Sequence, residues 1–180
     1  AGVQYEDVRV TGEEWQKLKE DKTKFEYGQM PVLEKDGKFY SQSLAILRLL
    51  GREHGYYADD AKGIYDIENL IELSNDFVQP IMKAKFTKDE EDKKKQQESL
   101  IVNHYPKFFE FWEKKLKENT SQEFFVGDKP TIVDFDYLGL YSSFINNGDD
   151  KEKILAILEN YPTLKEYFNK RVEAQKEYFD

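Results

Sequence analysis

The sequence contains no cysteine among its 180 residues. A disulfide framework, a thiolate metal site and a cysteine nucleophile are therefore excluded from this chain. Histidine is also scarce: His54 and His104 lie far apart, and neither belongs to a cluster at ligand spacing, so we predict no metal site. No apolar run approaches the ~18 residues that a membrane helix requires, and no segment has the pattern of a signal peptide.

Positive charge is in the minority, with 27 Lys and Arg against 36 Asp and Glu and a formal net charge of −9. This balance argues against nucleic-acid binding, which requires a basic surface, and it disfavours binding to an anionic membrane surface. Hydrophobic residues make up 39% of the chain, which is enough to form the core of one domain or two small ones. We therefore predict a soluble, cytoplasmic, globular protein without membrane insertion.

The most informative stretch is residues 28–50, which read GQMPVLEKDGKFYSQSLAILRLL. Pro31 starts a predicted strand, and Asp36-Gly37 indicates a hairpin turn before a second strand. An apolar helix follows over Gln42–Leu50, and Gly51 is predicted to end it. Because a helix N-terminus offers free N–H groups and the positive end of a dipole, this order of elements suits a small anionic peptide.

The rest of the pattern predicts one more strand and then helices. Val3–Val10 alternates as a short strand does, and Thr11 with Glu14 has the spacing of a capping box at the start of a helix. Residues 52–60 break the pattern and are predicted to form a linker. Beyond them we predict helices over Lys62–Lys85 with a bend at Pro80, from Lys88, from Thr131, over Ile154–Leu158 and over Leu164–Tyr178.

A second motif lies far downstream, where Gly127–Phe135 reads GDKPTIVDF. Thr131 and Asp134 have capping-box spacing and can satisfy two amides at the start of a buried helix. The two motifs, in this order, resemble the glutathione transferase family, and residues 28–50 are most similar to its sigma-like classes. The resemblance implies a thioredoxin-like α/β domain over 1–51 without its first strand and helix, a linker over 52–60 and an all-helical domain over 61–180. In the family, the downstream cap serves folding.

The resemblance also implies a glutathione-binding site beside the hairpin. In the family, the residue before a cis-proline pairs its main chain with the cysteine of glutathione, and Met30-Pro31 occupies these positions. The alternative is a trans proline at a strand edge. Gln42 and Ser43 occupy the positions that bind the γ-glutamyl end, where the alternative is that Ser41 or Ser43 only caps the helix.

Three further residues match the family's positions for the glycine end of glutathione. Trp15 and Lys19 correspond to a Trp that donates its indole N–H and a Lys that pairs with the glycine carboxylate. Gln29 is expected to assist them. The alternative for the first two is a packed Trp and a solvated Lys on an amphipathic helix.

Two residues imply a homodimer. Asp76 resembles the aspartate of the helical domain that reaches the partner subunit's site and meets the ammonium group of glutathione, although a solvated surface Asp is the alternative. Tyr27 matches the aromatic residue that several classes insert into the partner subunit, and core packing is its alternative. Such a dimer would be two-fold with isologous contacts.

The catalytic residue of the family lies on the loop after the first strand, upstream of the point that matches Ala1. None of the 12 tyrosines corresponds to it, so we expect a Tyr or Ser in a segment that precedes Ala1. The resemblance implies an enzyme that conjugates glutathione to electrophiles in detoxification, or a related isomerase or peroxidase, with glutathione as substrate and no metal. The alternative is a non-catalytic scaffold or subunit of a larger protein assembly that retains glutathione binding.

Overall fold

The computed structural model describes residues 2–148 and 150–179, and the chain divides into two units, Ala1–Tyr57 and Ala58–Asp180. The first unit is an α/β arrangement and the second is all helical, as the sequence predicts. Within the described residues, no helix is both long and apolar enough to cross a membrane. The first unit contains α1 (Gly12–Leu18), β1 (Val32–Lys35), β2 (Lys38–Ser41) and α2 (Ser43–Glu53).

The two strands form an antiparallel hairpin in which Val32 pairs with Ser41 and Lys35 pairs with Lys38. Asp36 and Gly37 make the turn with φ angles of 52° and 71°. A two-residue hairpin turn of type I′ needs positive φ at both positions, which is why Asp-Gly is a strong signal for it. The predicted hairpin is confirmed.

Residues 3–10 form no strand, so this prediction is wrong. Val3, Tyr5 and Val8 are 55%, 72% and 71% exposed. A strand exists only where a neighbouring strand accepts and donates its backbone hydrogen bonds. In the described part of the chain, β1 and β2 pair with each other and not with this segment, so its weak alternation of side chains has nothing to organise it.

Local chemistry determines where α1 begins and where α2 ends. The capping box of α1 is present: the Thr11 N–H donates to Glu14 Oε2 at 2.7 Å, and the Glu14 N–H donates to Thr11 Oγ1 at 3.3 Å. The prediction that Gly51 ends α2 is wrong, because Gly51 is buried within the helix. The helix ends at Glu53, and the glycine with positive φ (77°) is Gly55, as expected for the residue that follows a helix.

The second unit contains helices at the predicted places, with differences in their bounds. The helix predicted from Lys88 is divided, because a π-helical turn at Leu100–His104 separates two α-helices. A second π-helical turn, Tyr141–Ile145, follows α6. The α-helices are α3 (Ala61–Phe86, continuous through Pro80), α4 (Glu90–Ser99), α5 (Tyr105–Glu118), α6 (Ile132–Leu140), α7 (Lys151–Leu158), α8 (Pro162–Ala174) and α9 (Lys176–Phe179).

The core of the second unit is built around Phe77 of α3, which is fully buried. Its ring centroid lies 4.8 Å from that of Trp112 and 5.4 Å from that of Phe108, both on α5. It also stacks on His104 at 5.4 Å, and His104 Nε2 lies 2.8 Å from the Phe77 carbonyl oxygen. His104 is half-buried at the edge of this core, and burial lowers its pKa.

Asp134 is a buried carboxylate at the start of α6. Its Oδ2 accepts the Thr131 N–H at 2.7 Å, which is the predicted capping contact. Its Oδ1 also accepts the Phe125 N–H at 3.3 Å and the Tyr167 hydroxyl at 2.7 Å. Burial raises the pKa of Asp134 and these donors oppose the effect. The carboxylate thus joins α6, α8 and the loop before α6.

Candidate functional site

The hairpin brings Met30-Pro31 and Gln42-Ser43 to the same end of the sheet. Val32 and Ser41 are the last paired residues of the two strands, so Pro31 and Gln42, which flank them, lie next to each other along the same register. The Met30–Pro31 peptide bond is cis, as predicted. Met30-Pro31 and Gln42-Ser43, which the sequence predicts to belong to one site, are therefore neighbours.

Met30 offers a free main chain at this end. The residue is 50% exposed. Among residues 2–148 and 150–179, no backbone hydrogen bond involves its N–H or its carbonyl group. Because an exposed backbone amide outside a ladder can still pair, this residue can add an extended peptide by strand-like hydrogen bonding.

The N-terminus of α2 is uncapped. Gln42 precedes the helix and makes no side-chain capping bond. In the part of the chain that the structure describes, the Ser41 and Ser43 hydroxyls make no hydrogen bond either, so the alternative that a serine caps α2 does not hold. Ser43 is exposed as the first residue of α2. The helix therefore presents free N–H groups, a serine hydroxyl and the positive end of its dipole.

Gln42 has a strained backbone, with φ 72° and ψ 107°. A non-glycine residue in such a conformation costs about 1–3 kcal/mol, and such residues cluster at binding sites. The side chain is exposed and does not explain the conformation. The sequence contains no signal for this feature, because glutamine has no preference for positive φ.

Replacing Gln42 with glycine and with alanine separates the side chain from the backbone. Both variants remove the amide, but only glycine relieves the positive φ. We expect the glycine variant to have a free energy of unfolding higher than the alanine variant by about 1 kcal/mol, as measured by urea unfolding. Equal stability of the two, or a more stable alanine variant, would show that the backbone is not strained.

Trp15 and Lys19 lie one turn apart on and just after α1. Trp15 is half-buried against Phe25, with ring centroids 5.1 Å apart in an edge-on arrangement. The Lys19 ammonium has no carboxylate within ion-pair distance among the described residues. Phe25 was missed in the sequence because it lies in a polar connection. No hydrogen bond or ring contact in the described chain joins these two residues directly to α2.

Tyr27 and Gln29 flank Gly28 on the loop before β1, and both are exposed. Gly28 has φ 62°, and its N–H donates to the Phe25 carbonyl at 2.8 Å. Tyr27 is 57% exposed, so the core-packing alternative for this residue does not hold. Its insertion into a partner subunit stays a prediction.

Asp76 lies in the second unit, on α3, directly before the buried Phe77. Its side chain is exposed, which fits both the predicted role and the alternative of a surface charge. Across residues 2–148 and 150–179, no group of three or more His, Cys, Asp or Glu side chains is arranged to hold a metal ion.

Comparison with known protein families shows which family this chain is related to. The N-terminal domain of the glutathione S-transferases matches residues 1–52, and their C-terminal domain matches residues 75–177. The second match alone covers more than half of the chain. The chain belongs to the glutathione S-transferase family. The predicted family, its two-domain fold and its class of glutathione-dependent enzymes are therefore confirmed, and the family's substrate is glutathione.

Individual glutathione S-transferases and related enzymes match most of the chain. Glutathione S-transferase 2 of Manduca sexta is 34% identical over 142 residues, which cover 78% of this chain and 66% of that protein. The solved prostaglandin synthase D of Nilaparvata lugens is 28% identical with a TM-score of 0.82, covering 97% of this chain and 85% of that one. A monomeric glutathione S-transferase of Necator americanus is 28% identical with a TM-score of 0.78, covering 98% and 85%. The sigma-like class and the individual site residues stay predictions.

Proposed function

We propose that this glutathione S-transferase binds glutathione where Met30-Pro31 meets Gln42-Ser43 and couples it to electrophilic substrates or uses it in a related isomerase reaction. The observation that carries the proposal is the uncapped N-terminus of α2, which follows the strained Gln42 directly. The likeness to a solved prostaglandin synthase D supports the isomerase form of the reaction.

The γ-glutamyl carboxylate is the part of glutathione that suits α2. Free N–H groups and the positive end of a helix dipole favour an anion, and the contribution reaches about 0.3–1 kcal/mol for an exposed charge. The Ser43 hydroxyl adds one donor and the Gln42 amide adds another. A hydrogen bond to a charged group contributes roughly 1.5–3 kcal/mol, so these residues are the main determinants of affinity in the proposal.

The remaining parts of glutathione match the other predicted residues. The Met30 N–H and carbonyl pair with the backbone of its cysteine. The glycine carboxylate can form an ion pair with the Lys19 ammonium, and Trp15 and Gln29 can donate hydrogen bonds to it. Both ends of an extended peptide are thereby held while its thiol stays open to the second substrate.

The reaction uses the thiolate form of glutathione. The thiol proton passes to solvent, and the sulfur forms a bond to an electrophilic carbon. In a substitution the leaving group departs from that carbon with the bonding electron pair; in an addition the π bond of the substrate opens and its other end takes up a proton. A hydroxyl that donates to the sulfur lowers the thiol pKa. In our proposal a Tyr or Ser preceding Ala1 supplies this hydroxyl, and the residues of this chain bind and orient the peptide.

We further propose a cytoplasmic homodimer with a role in detoxification. Asp76 would then meet the glutathione ammonium in the partner subunit, and Tyr27 would contact the partner. The exposure of both side chains supports these roles. The monomeric Necator americanus relative makes the molecular mass in solution the measurement that decides between a dimer and a monomer.

Substitution of Ser43 by alanine tests the proposed site. We expect glutathione to bind about 10- to 100-fold more weakly in calorimetric titration, because a hydrogen bond to a carboxylate is lost. Ser41→Ala is the matched control, since it removes the same hydroxyl two residues earlier, on β2, and should leave affinity unchanged. If Ser43→Ala binds glutathione as the parent does, α2 is not the γ-glutamyl site.

A further inference from the structure

The loop between the second π-helical turn and α7 contains the sequence Asn147-Gly148. It is the only Asn-Gly pair in the 180 residues, and both residues are exposed. Gly148 has φ 92°, a conformation that side-chain-bearing residues rarely adopt. Asn-Gly is common in turns for this reason, and asparagine is among the thermolabile residues.

The chemistry of an Asn-Gly pair depends on how closely the glycine nitrogen approaches the asparagine side chain. Here the Gly148 N–H donates to Asn147 Oδ1 at 2.8 Å. The contact holds the backbone nitrogen beside the carbonyl group whose carbon, Cγ, it can attack. Glycine places no Cβ beside the asparagine side chain, and a Cβ built at Gly148 would meet no atom within 4 Å beyond its two chain neighbours.

The loop is anchored on either side of this pair. The Asn146 N–H donates to the Tyr141 carbonyl at 2.7 Å, and the Lys151 N–H donates to the Gly148 carbonyl at 3.3 Å. Among the described residues, the Gly148 nitrogen has no backbone acceptor. The anchors therefore preserve the geometry while leaving the reacting nitrogen outside any helix or ladder.

We propose that Asn147 is a site of spontaneous deamidation in the folded protein, a modification that does not depend on the proposed function. The Gly148 nitrogen loses its proton and forms a bond to Asn147 Cγ. The side-chain nitrogen takes up a proton and leaves as ammonia. Water then opens the cyclic imide at either carbonyl carbon, which produces aspartate or isoaspartate without any oxidant or reductant.

The product changes the charge at the start of α7. One carboxylate is added, so the formal net charge moves from −9 to −10. Asp150, which precedes α7, already accepts a hydrogen bond from Lys153 at 2.7 Å. An additional negative charge near a helix N-terminus is favourable, so the aspartate form keeps α7 intact. The isoaspartate form lengthens the main chain inside the anchored loop.

Peptide mapping by mass spectrometry, after prolonged incubation of the protein at neutral pH and body temperature, tests the proposal. We expect the peptide with Asn147 to gain the mass difference between an oxygen atom and an NH group and to separate into two products. Asn160, which is also exposed but precedes the bulky Tyr161, is the internal control and should stay unmodified. Gly148→Ala should reduce conversion at position 147 to the level of Asn160.

Two outcomes would overturn the proposal. One is an Asn147 peptide of the folded parent that converts no faster than the Asn160 peptide, a comparison that requires no variant. The other is equal conversion in the parent and in Gly148→Ala. Asn147→Asp supplies the reference for the aspartate product on ion exchange.

Discussion

Asp134→Ala is expected to lower the free energy of unfolding by at least about 3 kcal/mol, because the substitution leaves three buried donors without an acceptor. Asp134 is 3% exposed, and water cannot replace its oxygens. The Thr131 N–H, the Phe125 N–H and the Tyr167 hydroxyl would all lose their acceptor. Each unsatisfied buried donor costs roughly 1–3 kcal/mol.

Two smaller changes serve as controls for Asp134→Ala, and urea unfolding measures all three. Asp134→Asn keeps one acceptor oxygen and should lower the free energy of unfolding less than Asp134→Ala does. Tyr167→Phe removes a single hydroxyl and should cost about 1 kcal/mol. A loss below about 1 kcal/mol for Asp134→Ala would mean that the donors find other acceptors and that the carboxylate does not join the elements.

Phe77→Ala is expected to destabilise the helical unit by about 3–5 kcal/mol, as large-to-small changes of buried aromatic residues do. The side chain is fully buried, and its removal leaves a cavity between α3 and α5. The rings of Trp112 and Phe108 lose their contact with it. Aromatic pairs contribute about 0.5–1.5 kcal/mol beyond burial.

Phe86→Ala is the matched control because it makes the same change on the same helix. Phe86 is 72% exposed, so the free energy of unfolding should change by no more than about 0.5 kcal/mol. Similar losses for both variants would show that burial in the core does not determine the effect; helix propensity would not explain them, because Ala is a better helix former than Phe. Thermal unfolding followed by circular dichroism measures both.

Much of the fold could be predicted because its signals are local. Asp36-Gly37 determines a hairpin through two positive φ angles, and Thr11 with Glu14 caps α1 through contacts three residues apart. Such features need no information about the rest of the molecule. The second capping motif, at Asp134, was found for the same reason.

Features that depend on distant partners could not be predicted. Residues 3–10 have a strand-like pattern, but pairing depends on a neighbour that the pattern does not contain. The sequence favoured Gly51 as the end of α2, but Gly51 is buried within the helix and the glycine with positive φ after it is Gly55. Asp134 also bonds to Phe125 and Tyr167, which lie outside its own helix, and residue spacing in the sequence does not predict these contacts.

Some features of the candidate site could be predicted from the sequence, and others could not. The order of Met30-Pro31 and Gln42-Ser43 in the sequence was sufficient to predict that they belong together, since a hairpin must bring its two ends to one place. The strained φ of Gln42 and the contact of Phe25 with Trp15 were not predictable. Both arise from how the main chain leaves β2 and how a polar loop folds back.

The placement of the two tryptophans gives each unit its own fluorescent reporter. Trp112 is fully buried in the helical core, whereas Trp15 is half-buried in the first unit, so their emission maxima should differ. Trp15→Phe and Trp112→Phe would each leave one emitter. Coincident unfolding curves from the two variants would show that the units unfold cooperatively, and separate midpoints would show that they unfold one after the other.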